Sequence, residues 1–319
     1  MARIDELRLM ARVARMYYEN DMRQSEIAQL LGLSQATVSR LFKRAKDEGI
    51  VRITVNVPHG VFSELEEQII AAYNLRDAIV VDCIHEDEQM IQRDIGAAAA
   101  YYVESTIKPN EVIGLSSWSG TLLALVDALH PVTRKNDVRV VQILGGIGNP
   151  AAEIHAARLT GRFAKLVNGS ATYLPAPGVV GSEAARHVFL EDQYVQEAMA
   201  LFDQVSLALV GIGAVEPSEL LADSGNIFSN TERDILRSEG AAGDILLHFF
   251  DADGQPVKTS LDHRVMSMSL LQLRQADRAV GVAGGKRKHE AILAALRGQW
   301  INVLITDCFS AQRLMAAAQ

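Results

Sequence analysis

Four turns rich in glycine or hydroxyl groups, each directly following a short apolar run, are the places in this chain best suited to hold a small polar molecule. They are Ser116-Ser117-Trp118-Ser119-Gly120-Thr121, Gly145-Gly146-Ile147-Gly148-Asn149-Pro150, Gly211-Ile212-Gly213 and Ala283-Gly284-Gly285-Lys286-Arg287-Lys288. Small hydroxylated residues and glycine at a helix start offer backbone N–H and side-chain O–H donors to an anion. The last cluster is the oddest of the four. Three cations on a first helical turn oppose the helix dipole, at roughly 0.3–1 kcal/mol each before screening. A bound anion, most simply a phosphate, relieves that conflict, and a solvated basic turn is the plain alternative. GGIGNP and GIGAVE lack the full dinucleotide fingerprint, and GGKRK lacks Walker-A spacing. Ser117 and Ser182 have no nucleophile-elbow context. Glu153-Ile154-His155 and Asp262-His263 lack metal-ligand spacing. Neither a metal nor a cofactor is expected.

A second constellation sits near the N-terminus, in SEIAQLLGLSQATVSRLFKRAKDEGIV. A short helix Gln24–Leu31, a turn Gly32-Leu33-Ser34 and a helix Gln35–Glu48 form a helix-turn-helix, whose second helix reads the DNA major groove. Gln35 can bond adenine bidentately, Thr37 can touch a thymine methyl and Arg40 can pair with guanine. Arg40, Lys43, Arg44 and Lys46 suit phosphates. The candidate contacts to double-stranded operator DNA are Gln24, Ser34, Gln35, Thr37, Ser39, Arg40, Lys43 and Arg44. The competing reading is a plain three-helix bundle with a solvated basic face.

These residues need elements to position them. The first helix carries Ile4, Leu7, Ala11, Ala14 and Tyr18 at helical spacing; the second turns Ile27, Leu30 and Leu31 inward, and the third Val38, Leu41, Phe42 and Ala45. Ile50–Val57 alternates like a strand, and Pro58-His59-Gly60 marks a boundary, giving a reader domain at 1–58 and a second domain at 59–319. Phe62–Leu75 is a helix that either joins subunits and transmits change or packs on its own domain. Strands are expected at Ala78–Val81, Val112–Leu115, Val138–Leu144, Val205–Gly211, Asp244–Phe250, Arg278–Val282 and Asn302–Thr306, with helices at 89–105, 119–130, 151–167, 192–202 and 287–297. The fold class is therefore α/β: a small all-α unit, then a mostly parallel, Rossmann-like sheet covered on both faces. In such sheets ligands bind beyond the carboxyl ends of the strands, where the four turns fall.

Composition agrees with this division. The 319 residues are 49% hydrophobic and 22% charged, which excludes a disordered chain, a rod or a collagen-like repeat. No apolar run reaches the roughly 20 residues that cross a bilayer. The charged N-terminus does not read as a secretion signal, and two cysteines without CxxC spacing fit a reducing cytoplasm. The net charge of −8 is unevenly spread: residues 1–56 hold 10 Lys+Arg and 7 Asp+Glu, net +3, and the remainder nets −11. A reader of only +3 holds DNA weakly, since affinity rests on phosphates neutralised, so several readers must meet one site in an oligomer.

The ordered motifs RMYYENDMRQSEIAQLLGLSQATVSRLFKRAKDEGIVRI, GLSSWSGTL, QILGGIGNP, YLPAPGVV, ALVGIGAVEP, GDILLHFFDADGQPV and VAGGKRKHEAILAALRGQWINVLITD span nearly the whole chain. Together they resemble the SorC-type sugar-binding transcriptional regulators of bacteria. The resemblance implies a helix-turn-helix joined to a domain similar to phosphosugar isomerases and deaminases. It implies homotetramers that repress or activate carbohydrate or polyol operons in response to a sugar, polyol or sugar phosphate. It implicates Ser116, Ser117, Trp118, Gly120 and Thr121 in the ligand loop and Lys288, rather than Lys286, at the ligand. Asp251 is implied for sugar hydroxyls, with Asp253-Gly254 as a turn, and Gly145 and Gly146 for close backbone approach. The strand ends QILGGIG and VGIGAVEP lack the acid and His groups of the related enzymes, and Glu216 is the only acid near them. Binding without turnover is therefore expected. The alternative is a sugar-phosphate isomerase or deaminase carrying a DNA-binding appendage. The Trp in GLSSWSGT favours a bulkier or less phosphate-centred ligand.

Overall fold

The structure, a computed structural model, describes residues 2–51, 60–133, 137–149, 159–225 and 228–318. Internal contacts divide the chain into two compact units, Met1–Pro58 and His59–Gln319. Most of the expected strand Ile50–Val57, the first part of the expected helix 151–167, and the pair Glu153 and His155 lie outside the described residues.

The smaller unit holds helices α1 (Ala2–Tyr18), α2 (Gln24–Leu31) and α3 (Gln35–Asp47). Val38, Leu41, Phe42 and Ala45 recur at three- and four-residue steps on α3 and are all buried. On α1 the helical period is as expected but the phase is different. Met10, Val13 and Ala14 are buried, whereas Ile4 is 59% exposed and Tyr18 41%. Two apolar stripes overlap on this helix, and packing against α3 selects one of them. On α2, Ile27 and Ala28 turn inward and Leu30 turns out. Gly32 takes a left-handed φ of 64° after α2, and Leu33 N–H then donates to Ala28 O at 2.9 Å. That left-handed residue is cheap only for glycine and makes the tight turn.

In the larger unit, α4 (Ser63–Tyr73) leads into strand β1 (Asp77–Val81). Ile69 is fully buried and Tyr73 Oη donates to Leu314 O at 2.6 Å, so this helix packs on its own unit. The strands β2 (Val112–Leu115), β3 (Arg139–Gln142), β4 (Ser170–Thr172), β5 (Leu207–Val210), β8 (Arg278–Val282) and β9 (Val303–Asp307) join β1 in one sheet of order β1-β9-β8-β5-β2-β3-β4. Every pairing in it is parallel. Residues of β5, β8 and β9 are buried throughout, while edge strand β1 alternates. Central strands covered on both faces require continuous apolar runs, and this is why the sequence showed them.

The expected strand Asp244–Phe250 is a correction. It divides into β6 (Ala241–Ile245) and β7 (His248–Asp251), an antiparallel hairpin outside the main sheet that turns at Leu246-Leu247. An apolar run carries no mark of a reversal when its turn residues are themselves apolar. Strand β4 was not anticipated, because Ser170-Ala171-Thr172 is a short, polar edge. Two further helices flank the sheet: α5 (Glu88–Thr106), and α6 (Gly120–Ala128), which comes directly after β2. Cys83 and Cys308 are buried and unpaired. Among the described residues no helix is long and apolar enough to cross a membrane.

Candidate functional site

From β2 the chain runs outward to β3 and β4, then returns to place β5 on the other side of β2. The crevice between the carboxyl ends of β2 and β5 is thus a topological switch point, where parallel sheets bind ligands. A cleft of about 780 Å³ opens there. Its walls come from the loop after β2, the loop after β5, the β6–β7 turn, the first turns of α5 and the residues just after β8.

Of the residues expected at the ligand, Ser116, Trp118, Gly120, Thr121 and Lys288 line this cleft. Ser119 accepts from Leu122 N–H and caps α6 at 3.3 Å. Gly120 and Thr121 therefore present first-turn N–H groups that have no intrahelical acceptor, and α6 has no acid in its first turn. Trp118 is 4% exposed and its indole N–H donates to Gly145 O at 3.0 Å, which fixes the ring as part of the floor.

Four expected residues are placed elsewhere. Ser117 lies behind the floor: its hydroxyl donates to Leu144 O (2.8 Å) and accepts from Gln142 Nε2 (2.7 Å). Gly145 and Gly146 are not in the lining. A methyl at Gly145 would stand 2.3 Å from Pro177 O, and one at Gly146 2.0 Å from Gln142 Nε2. Their smallness serves packing under the cleft. Asp251 is off the cleft as well, and its carboxylate accepts from Asp253 N–H (3.0 Å) and Gln255 N–H (2.8 Å), closing the turn after β7. Both Asp251 and Asp253-Gly254 thus belong to one turn.

A buried acid that does line the cleft is Asp244, seven residues earlier and 8% exposed. Its Oδ2 accepts from Leu247 N–H at 3.0 Å, and its backbone bridges Gly213 in both directions at 2.9 Å. Burial pushes its pKa up to about 6, against the pull of the Leu247 N–H and of Lys288. Lys288 is displaced the opposite way: burial, then the neighbouring Arg287, hold its ammonium below the usual lysine range, against Glu88 and Asp244. Asp87, Glu88 and Glu216 also line the cleft, so Glu216 is not the only acid there. Asp87 caps α5 through Met90 N–H (2.9 Å), Arg287 pairs with Glu88 (2.8 Å), and Glu216 pairs with Arg237.

The Gly284-Gly285 turn is held from below by Asp307, a buried residue that sequence reasoning passed over. Gly285 N–H donates to Asp307 Oδ2 (2.8 Å) and to Ser310 Oγ (3.0 Å), while Asp307 Oδ1 accepts from Ser310 N–H (2.9 Å). The signal was present as an Asp capping position at the end of an apolar strand. Lys286 is exposed and does not line the cleft.

In the smaller unit, Ser34 caps α3 by accepting from Thr37 N–H (3.1 Å), and the two hydroxyls bond at 2.8 Å. Gln35, Ser39, Arg40 and Lys43 are exposed along α3, and Gln24 is half-buried at the start of α2. Arg40 reaches back to Ala36 O at 3.3 Å. Arg44 is engaged within the unit by Glu6 and Glu48, and these carboxylates hold its pKa above the usual value. Its charge is largely answered before any phosphate arrives.

A helix-turn-helix unit and a switch-point cleft on a parallel sheet define a ligand-responsive DNA-binding regulator. Comparison with known proteins agrees. Residues 59–316 match the family described as "Putative sugar-binding domain", and residues 7–59 match the Crp-like helix-turn-helix domain. The sorbitol operon regulator of Klebsiella pneumoniae is 32% identical over 99% of this chain and 100% of its own. The deoxyribonucleoside regulator of Bacillus subtilis is 32% identical over 98% of each. The crystal structure of the full-length Klebsiella regulator SorC superposes with a TM-score of 0.74 at 30% identity, over 98% of this chain and 99% of that one. The chain belongs to the SorC family of sugar-binding transcriptional regulators.

Proposed function

We propose that the cleft between β2 and β5 binds a phosphorylated sugar or polyol and that its occupancy sets the affinity of the N-terminal unit for operator DNA. One observation carries the assignment: Asp244 and Lys288 both line the cleft, and burial moves each of them further than their mutual attraction pulls it back. A close ion pair lowers the acid's pKa and raises the lysine's, whereas burial has moved both in the other direction. An anionic ligand bearing hydroxyls would answer both, its phosphate at Lys288 and the α6 N-terminus and a hydroxyl at Asp244. The ligand binds one arrangement of the effector domains better than the other and so shifts the population that holds DNA.

DNA is read by α3 through Gln35, Thr37, Ser39, Arg40 and Lys43, with Ser34 and Gln24 at the helix starts. The assembly is a cytoplasmic homotetramer, which multiplies weakly basic readers on one operator of a carbohydrate or polyol operon. The chain binds its effector without transforming it. Aldose–ketose interconversion needs a base and an acid within reach of the moving protons. Asp87, Glu88 and Glu216 are each engaged by a partner, and no histidine stands among the described lining residues beside Asp244 and Lys288.

The test is a thermal-shift series with sugars, polyols, their phosphates and inorganic phosphate on the full chain and on Lys288→Ala. A ligand that binds only the folded state at 100 times its Kd adds about 2.7 kcal/mol of stability. The expected result is a shift with phosphorylated sugars that Lys288→Ala abolishes, while binding to a DNA fragment selected by the wild-type chain persists. Equal ligand affinity in both proteins would sink the assignment. Turnover of the same sugar phosphate by the wild-type chain would restore the enzyme reading.

A further inference from the structure

The turn between β6 and β7 is built from the wrong residues for its geometry. Leu246 and Leu247 are the two residues of a hairpin loop, with φ of +57° and +65°. Positive φ at both positions defines the type I′ turn, which strongly favours Asn-Gly or Asp-Gly, because Cβ crowds the following carbonyl oxygen there and only glycine, or a short polar side chain that bonds locally, escapes or offsets the clash. Among the described residues, every other non-glycine residue with positive φ is Asp, Asn or Gln. Within those residues this conformation is otherwise met by polar side chains, and leucines take it only at this turn.

The turn is pinned from several sides. Asp244 Oδ2 accepts from Leu247 N–H at 3.0 Å, Ser267 Oγ donates to Leu246 O at 2.9 Å, and His248 Nε2 lies 3.0 Å from the same hydroxyl. These bonds would hold an Asn-Gly turn equally well, so they do not explain the leucines. Position does. Leu246 and Leu247 are 3% and 4% exposed and both line the cleft, together with Leu144, Leu220 and Leu221. Backbone strain retained at a ligand site points to what the side chains do there.

We infer that the Leu246–Leu247 turn is a specificity element that makes the cleft select phosphorylated sugars carrying a deoxygenated or C-methyl carbon over their fully hydroxylated counterparts. The inference rests on the sugar-phosphate reading of the cleft. A hydroxyl laid against aliphatic side chains gives up its bonds to water and finds no partner, whereas a CH₂ or CH₃ buries apolar surface there. The polar groups of the ligand meet Lys288, Asp244 and the α6 N-terminus on the remaining walls.

Leu247→Asn is the discriminating variant. Asn matches leucine closely in size and tolerates positive φ, so it keeps the turn while replacing methyl groups with an amide. Leu246→Asn is the second variant, and a circular dichroism melt of each checks that it is folded. Binding is measured by calorimetry on the full chain with pairs differing in one hydroxyl: 2-deoxyribose 5-phosphate against ribose 5-phosphate, 2-deoxyglucose 6-phosphate against glucose 6-phosphate, and 6-deoxyfructose 1-phosphate against fructose 1-phosphate. In at least one pair the wild-type chain should bind the deoxygenated member about tenfold more tightly. In that pair Leu247→Asn, shown by its melt to be folded at the temperature of the titration, should erase or reverse the preference. Equal binding within all pairs, preference for the hydroxylated members, or a preference unchanged in both folded variants would overturn the inference. Failure of every phosphorylated sugar to bind would overturn the reading beneath it, and this inference with it.

Discussion

Replacing Asp244 by Asn should stabilise the effector unit at neutral pH, by an amount that depends on pH in a defined direction. Burial raises the folded-state pKa of Asp244 from 3.8 to about 6. The folded chain therefore holds this proton more tightly than the unfolded chain, and stability is lost as pH rises from about 4 through about 6. At 1.36 kcal/mol per unit, the full penalty is about 3 kcal/mol above pH 7, about half of that at pH 5 and nothing below the unfolded pKa. Asn retains an oxygen that accepts the Leu247 N–H, and the attraction to Lys288 that it forgoes is the smallest of the three influences on Asp244. About 3 kcal/mol corresponds to a rise in Tm of roughly 6–10 °C for a unit of this size. Melts of wild type and Asp244→Asn at pH 8 and pH 5, followed by tryptophan fluorescence, should give a gap at pH 8 about twice that at pH 5. Effector binding should weaken in the same variant. A gap independent of pH, or a less stable variant at pH 8, would refute the account of Asp244 as a carboxyl held in the cleft at a cost to stability.

The remaining expectations concern packing and the reader. Gly145→Ala puts a methyl 2.3 Å from the Pro177 carbonyl oxygen, and because backbone yields poorly it should cost about 1–3 kcal/mol. Urea denaturation should show a lower midpoint at unchanged slope, and an unaltered midpoint would contradict the close packing described for this loop. Arg40→Ala combined with Lys43→Ala should weaken DNA binding and reduce its salt dependence by about one unit of slope per phosphate contact removed. Arg44→Ala should have the smaller effect, because Glu6 and Glu48 already engage that guanidinium. Anisotropy titrations across a salt series separate the two variants, and equal losses would show that Arg44 leaves its carboxylates for DNA.

Local chemistry was enough for whatever depends on neighbours in the chain. The helix-turn-helix was readable because Gly32, the Ser34 cap and the inward set Val38, Leu41, Phe42 and Ala45 are set by helical period and capping. The parallel sheet was readable because its central strands, covered on both faces, must be apolar throughout. The turns after β2 and β8 could be placed at the cleft because parallel topology sends both strand ends to one side of the sheet; Ser116, Trp118, Gly120, Thr121 and Lys288 within them came from the family resemblance and line the cleft. Tertiary structure decided which side chains reach inward from there. The family resemblance pointed to Asp251 and passed over Asp244 on the same apolar run; the hairpin turn between them sends Asp244 into the cleft and leaves Asp251 closing a turn. Gly145 and Gly146 look like ligand glycines until Pro177 and Gln142, distant in sequence, are seen to occupy their space. The phase of α1, the engagement of Arg44 by Glu6 and the bracing of Gly285 by Asp307 likewise depend on contacts between segments far apart in the chain. Period and capping are properties of a segment, whereas burial and pKa belong to the assembled fold.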